Sequence, residues 1–162
     1  MKKLLFNNLG FSLMELVLVL ALVSIVAISS FPMLADTQAI TLDGAARKLE
    51  GDMRYAQNLS MTTGNDHGVR TTGGAGGTTY EVYEVATDTV VTSPYDHLPM
   101  SEDLSNTGEE YHGITFPASD TVTFDDVGTP TAINGDGSFV LRNENGDTKT
   151  ITINNSGLIT MQ

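Results

Sequence analysis

The sequence predicts an α+β protein, one long N-terminal helix followed by an antiparallel β-rich head, and three observations predict it. Residues 16–28 carry no charge and a single polar side chain, Ser24, so they form one continuous apolar segment. Beyond it Leu42, Ala45, Leu49, Met53, Ala56 and Leu59 recur every three or four residues, the spacing of one helix face. After residue 62 the texture changes to Gly, Thr, Asn and Asp around short β-branched and aromatic runs, which is the pattern of strands and turns. At 162 residues the chain has room for one domain.

The first ten residues hold Lys2 and Lys3 and no acid. Positive charge immediately before an apolar segment keeps that end on the cytoplasmic side of a membrane and is also how export signals begin. Small residues near Ser29 and Ser30 leave open an ordinary secreted protein cut there. Glu15, at the start of the apolar segment, argues otherwise, because a charge at membrane depth costs about 2.5–3.5 kcal/mol and is kept where something pairs with it.

Pro32 removes a backbone donor and crowds the preceding turn, so a kink is expected near residues 28–32. Past it, Asp43 with Arg47, Lys48 with Asp52 and Glu50 with Arg54 are opposite charges four residues apart, the solvated flank of an amphipathic helix. A helix over 11–62 would be roughly 78 Å long at 1.5 Å per residue, giving a ladle outline with its first third in lipid. Gly44 and Gly51 would each weaken it by about 1 kcal/mol relative to Ala.

In the head, strands are expected over 80–85, 89–92, 113–116, 121–124, 138–142, 148–154 and 158–161. Asn145-Gly146 is the strongest hairpin signal. Within 148–154, Ile151 and Ile153 alternate with Thr150 and Thr152, so one face should cover the helix stripe and the other should meet solvent.

Several function classes are excluded or disfavoured. Without Cys there are no disulfides, thiolate metal sites or Cys nucleophiles. Residues 63–162 carry three cations, Arg70, Arg142 and Lys149, against fifteen carboxylates, a net of −12. Such a surface repels phosphate backbones and argues against nucleic acid as a partner. His67, His97 and His112 are expected in separate loops and make no metal-binding motif. The run Gly73-Gly74-Ala75-Gly76-Gly77 lacks the spacing and the following Lys of a phosphate loop and is expected to be a flexible loop. No GxSxG elbow exists, so no catalytic residue and no cofactor site is assigned. For metals the expectation is likewise none, with acidic turns around Asp125 and Asp136 as weak calcium candidates, since EF-hand spacing is missing.

The segment Gly10-Phe11-Ser12-Leu13-Met14-Glu15-Leu16, after a short basic leader and before an apolar helix, resembles the processing site of type IV pilins and pseudopilins. The resemblance implies that a prepilin peptidase cuts between Gly10 and Phe11, and that Phe11 is then N-methylated. It implies a chain divided into a cleaved leader (1–10), a transmembrane and assembly helix (11–35), an amphipathic continuation (36–62) and a β-rich globular head (63–162), a pilin-like ladle. Glu15 would neutralise the free amine of Phe11 on a neighbouring subunit, both charges being desolvated together. The other reading of Glu15 is a headgroup-level carboxylate that suits the helix macrodipole.

The layout of 45–57, then Gly113-Ile114-Thr115-Phe116, Val122-Thr123-Phe124, Val127-Gly128-Thr129-Pro130 and finally Gly157-Leu158-Ile159 is similar to the GspH/FimT-type minor pilins and pseudopilins. Members of that group often have Gly-Arg where this chain has Gly157-Leu158, which puts an arginine-dependent ligand role there in doubt. The function implied is a structural, non-enzymatic subunit of a type II secretion pseudopilus or a type IV pilus. It would sit in the bacterial inner membrane with its head in the periplasm, before joining the filament. Its partners would be other pilin or pseudopilin subunits, the prepilin peptidase, the inner-membrane assembly platform and membrane lipid. The alternatives are a minor pilin that captures extracellular DNA and an exported enzyme on a signal anchor.

Overall fold

The computed structural model describes residues 12–74, 77–105, 110–134 and 137–162, apart from the side chains at 27–36, 132 and 134. It divides into two compact units, Met1–Thr37 and Gln38–Gln162. One helix, α1 (Leu13–Thr63), begins in the first and ends in the second. The expected kink at Pro32 falls where side chains lie outside the described residues.

In the second unit the apolar stripe is the core side of the helix: Leu42, Ala45, Leu49, Met53 and Ala56, with Ala46 beside them, are all at most 2% exposed, whereas Leu59, also expected on the stripe, is only partly buried. The three expected charge pairs form on its flank, each at 2.7 Å. The helix stops at Gly64, whose φ of 73° only a residue without Cβ adopts freely. Ser60, buried in the last turn, donates to the Ala56 carbonyl and accepts the backbone N–H of His67 at 2.9 Å, which fixes where the first strand starts.

Among the described residues nine strands follow: β1 (His67–Thr72), β2 (Thr79–Glu84), β3 (Thr89–Val90), β4 (Ser101–Asp103), β5 (Thr121–Phe124), β6 (Pro130–Asn134), β7 (Ser138–Arg142), β8 (Thr148–Ile153) and β9 (Ile159–Met161). They make two antiparallel sheets, one in the order β3-β2-β1-β5-β6 with β4 also on β2, the other β7-β8-β9. Val69 of β1 is in register with Val82 on one side and Val122 on the other, and all three are fully buried. From the second sheet Phe139, Leu141, Ile151, Ile153 and Ile159 join the same core. Ile151 and Ile153 are buried and Thr150 and Thr152 are not, as their alternation predicts.

Some expectations are corrected. Residues 113–116 are not a strand: Thr115 makes one isolated bridge to Arg142. Ile114 and Phe116 are buried in alternation, but the backbone N–H groups of Gly113, Thr115 and Phe116 go to Leu104, Arg142 and Gly77, three different segments, so no ladder builds up. β1, β4 and β6 are not expected from the sequence. His67 is not in a loop but opens β1, buried, with Nδ1 2.8 Å from the Asn65 carbonyl. In the glycine run, a Cβ on Gly73 would overlap the Ala118 backbone at 1.8 Å, so that residue serves close chain approach.

Three turns share one construction. In Asp125–Thr129, Asn143–Asp147 and Asn154–Leu158 the first residue's side-chain oxygen accepts the backbone N–H of the fifth, at 2.7, 2.8 and 2.9 Å. The fourth residue is Gly128, Gly146 or Gly157, at φ 80°, 89° and 81°. The Asn145-Gly146 hairpin therefore forms with positive φ at the glycine alone, a type I turn with a left-handed glycine in place of a two-residue mirror turn. Gln57 of α1 ties two of these turns together, its Nε2 donating to the carbonyls of Gly128 at 2.7 Å and Gly157 at 2.9 Å.

Replacing Gln57 with Ala should lower the stability of a fragment beginning at Met33 by about 1–3 kcal/mol, since two part-buried carbonyls lose their donor. Urea denaturation followed by far-UV circular dichroism would show it as an earlier midpoint at unchanged slope. An unchanged midpoint would mean that water replaces the amide without loss.

Candidate assembly interface

Between Leu13 and Val26 every large apolar side chain is 44–80% exposed. The only charge in that stretch is Glu15, in the first turn of α1. Ser24, the other polar side chain, satisfies itself by donating to the Leu20 carbonyl at 2.7 Å. A helix apolar on all sides is stable only where its whole circumference is covered, by lipid or by other helices. Burying each Leu, Val or Ile there would gain about 1.5–3 kcal/mol, so cover of this segment is strongly favoured.

Glu15 stands where a helix N-terminus favours negative charge, with Ser12 one residue before the helix and the Leu16 N–H bonded to the Ser12 carbonyl at 3.1 Å. Gly10 and Phe11 lie outside the described residues. Among the described residues no helix is long and apolar enough to cross a membrane, and the span expected over 11–35 includes residue 11 and the side chains at 27–36, which are not among them.

In the second unit Arg70, Arg142 and Lys149 are placed apart from one another. Arg70 is held between Glu81 and Asp88, 2.6 Å from the latter, with its guanidinium 4.4 Å over the Tyr83 ring. Lys149 reaches Asp43 of α1 at 3.4 Å. Lys149 is in register with buried Leu141, whereas Arg142 is one residue further along β7 and so on the opposite face of the sheet. Folding thus does not gather the three into a basic patch.

The remaining candidates are placed as follows. Asp125 Oδ1 caps its own turn, accepting the N–H of Val127 at 3.1 Å and of Thr129 at 2.7 Å. Asp136 lies outside the described residues, and among those described no group of three metal-ligating side chains occurs. His97 and His112 are exposed and separate from buried His67.

The sequence did not reveal a polar network inside the head. Tyr80 donates to Asp52 at 2.7 Å, and Asp52 also accepts from Lys48, which lies 3.3 Å from Glu102. Burial, then the Asp52 charge, push the Tyr80 hydroxyl far above its ordinary range, so it stays a donor. Burial pulls Lys48 down, but its bond to Asp52 and the charges of Asp52 and Glu102 outweigh this and hold it above its usual value. Only the Lys48 and Asp52 spacing was legible beforehand, as an exposed helix pair.

A model of the GspH family, described as type II transport protein GspH, matches residues 45–157. No curated protein sequence matches. Among solved structures, the chain is similar to the type IV minor pilin FimU of Pseudomonas aeruginosa at 15% identity and a TM-score of 0.47, over 75% of this chain and 92% of that one.

The placement of the cations predicts that the fragment beginning at Met33 binds single- and double-stranded DNA more weakly than about 100 μM at physiological salt. A fluorescence-anisotropy salt titration checks it. Micromolar binding that falls steeply with salt and disappears in Arg142→Ala would favour DNA capture instead.

Proposed function

The chain belongs to the GspH family of type II transport proteins, and we propose that it is made as a membrane-held prepilin, cleaved between Gly10 and Phe11, methylated on Phe11 and assembled through α1 into a pseudopilus or pilus. The family is one of minor pseudopilins, structural subunits and not enzymes, that serve type II secretion and type IV pilus systems. The observation that carries the proposal is the fully apolar, exposed helix segment with Glu15 as its only charge. A peripheral protein has no use for such a segment, whereas a subunit that leaves lipid for a helical filament core needs one that is covered in both settings.

The role proposed for Glu15 follows from the same segment. A carboxylate taken out of water needs a counter-charge, and the amine freed by cleavage before Phe11 supplies one on a neighbouring subunit. That pairing would set the axial stagger of subunits as well as stabilise them. Other pseudopilins, the prepilin peptidase, the inner-membrane assembly platform and lipid are the partners proposed, with the head in the periplasm.

Intact-mass analysis of the protein extracted from its native membrane should show loss of residues 1–10 and the gain of one methyl group. A mature N-terminus near Ser29 or Ser30 would restore an ordinary secreted protein.

Glu15→Leu should leave membrane insertion unchanged or improved and reduce incorporation beside wild-type subunits, scored by crosslinking in the native machine. Full incorporation of that variant would refute the charge pairing.

A further inference from the structure

An open groove of about 620 Å³ lies between the outer face of α1 and the loop that follows β3. That is within the range of sites that hold small molecules or peptide side chains. Its floor is Gly51, and this glycine has no internal reason to be there. A Cβ at Gly44, the other glycine of α1, would press on the Tyr111 ring at 2.9 Å, whereas one at Gly51 would meet nothing within 4 Å. Alanine at Gly51 would favour the helix by about 1 kcal/mol, so the missing side chain leaves space for something outside this chain.

The walls are aromatic and acidic. Tyr55 rises from the helix, and Tyr95, 94% exposed, stands on the loop opposite. The loop is held in shape before anything binds: Ser93 N–H bonds the Leu98 carbonyl at 2.8 Å, His97 N–H the Ser93 carbonyl at 3.1 Å, and Leu98 N–H the Asp96 carboxylate at 3.2 Å. His97 completes the turn at φ 59°, a conformation rare for a residue with a side chain. The groove's own cations are committed, Lys48 to Asp52 and Glu102, and Arg54 to Glu50 at 2.7 Å and the Ile159 carbonyl at 2.9 Å. Of its three carboxylates Asp52 and Glu102 are paired with Lys48, and Asp96 forms no salt bridge among the described residues, on a head whose residues 63–162 carry a net of −12.

We infer that this groove receives an extended, cation-bearing segment of a different subunit of the assembly, its Lys or Arg entering between Tyr55 and Tyr95 with its backbone close to the helix at Gly51. The tyrosine faces attract the cation, Asp96 neutralises it, and the charge of this head disfavours a second copy of the same chain. The partner's being another filament subunit rests on the function proposed above; the cation preference does not.

The test uses the full chain in dodecylmaltoside micelles, titrated with acetyl-Gly-Arg-Gly-amide and followed by ¹⁵N NMR. Saturable shifts confined to the amides of Gly51, Tyr55, Asn58, Tyr95 and Asp96 are expected, with acetyl-Gly-Glu-Gly-amide giving none. Gly51→Leu, which fills the floor, and Tyr95→Ala, which removes one wall, should each weaken binding at least fivefold although neither changes net charge. Gly51→Leu should melt no lower than the parent; if it fails to fold, Tyr95→Ala at its exposed position decides alone. Shifts spread evenly over the acidic surface, equal binding by the variants or equal binding of the glutamate peptide would each overturn the proposal. In the native host, a photocrosslinker at position 95 should capture another pilin-like subunit and lose it in Gly51→Leu. Normal processing and incorporation without that crosslink would sink the groove alone, whereas an unprocessed chain would sink the pseudopilin reading and leave the peptide titration standing.

Discussion

The head depends on one constraint: among the described residues no strand belongs to both sheets, and a single helix face shares one buried core with each. The stripe from Leu42 to Ala56 satisfies this by mixing small and large side chains. Ala45, Ala46 and Ala56 and the larger Leu49 and Met53 lie in one buried cluster with Val69 and Val82 of the first sheet and Phe139 and Ile151 of the second. A polar residue anywhere on that stripe would be shared by two packing surfaces at once.

Where hydrophobic contact ends, polar contacts from the same helix continue the role. Gln57 bridges the turns before β6 and β9, and Arg54 reaches the carbonyl of Ile159 at the start of β9. These contacts are possible because the two turns are built alike, each with a left-handed glycine, Gly128 and Gly157, whose carbonyls face the helix amide. A Cβ on Gly157 would come within 2.4 Å of the Gly128 oxygen, so the two turns are also too close for larger residues.

The electrostatics divide by place. Inside the head, cations are spent on neighbours: Lys48 supports the Tyr80 and Asp52 contact, Arg70 stacks on Tyr83 between two carboxylates, and Lys149 returns to the helix at Asp43. What remains outside is predominantly acidic, which keeps such heads from adhering to one another and to anionic lipid.

The sequence alone determined the helix stripe, its charge pairs, the Asn145-Gly146 hairpin and the inward face of Ile151 and Ile153, because each is a local pattern whose period is the period of its element. Residues 10–16 resemble a prepilin processing site, and Glu15 stands out as the one charge in an apolar run, since charge in such a run is conspicuous without any fold. Only the tertiary structure decided that His67–Thr72 is a central strand, for His-Gly-Val-Arg-Thr-Thr becomes one through neighbours on both edges and not through its own propensity. Residues 113–116 went the other way, with strand-like alternation but no continuous partner. The groove at Gly51 was illegible for the same reason: a helix glycine looks like a small local cost until the loop carrying Tyr95, more than forty residues later in the chain, is seen to stand across from it.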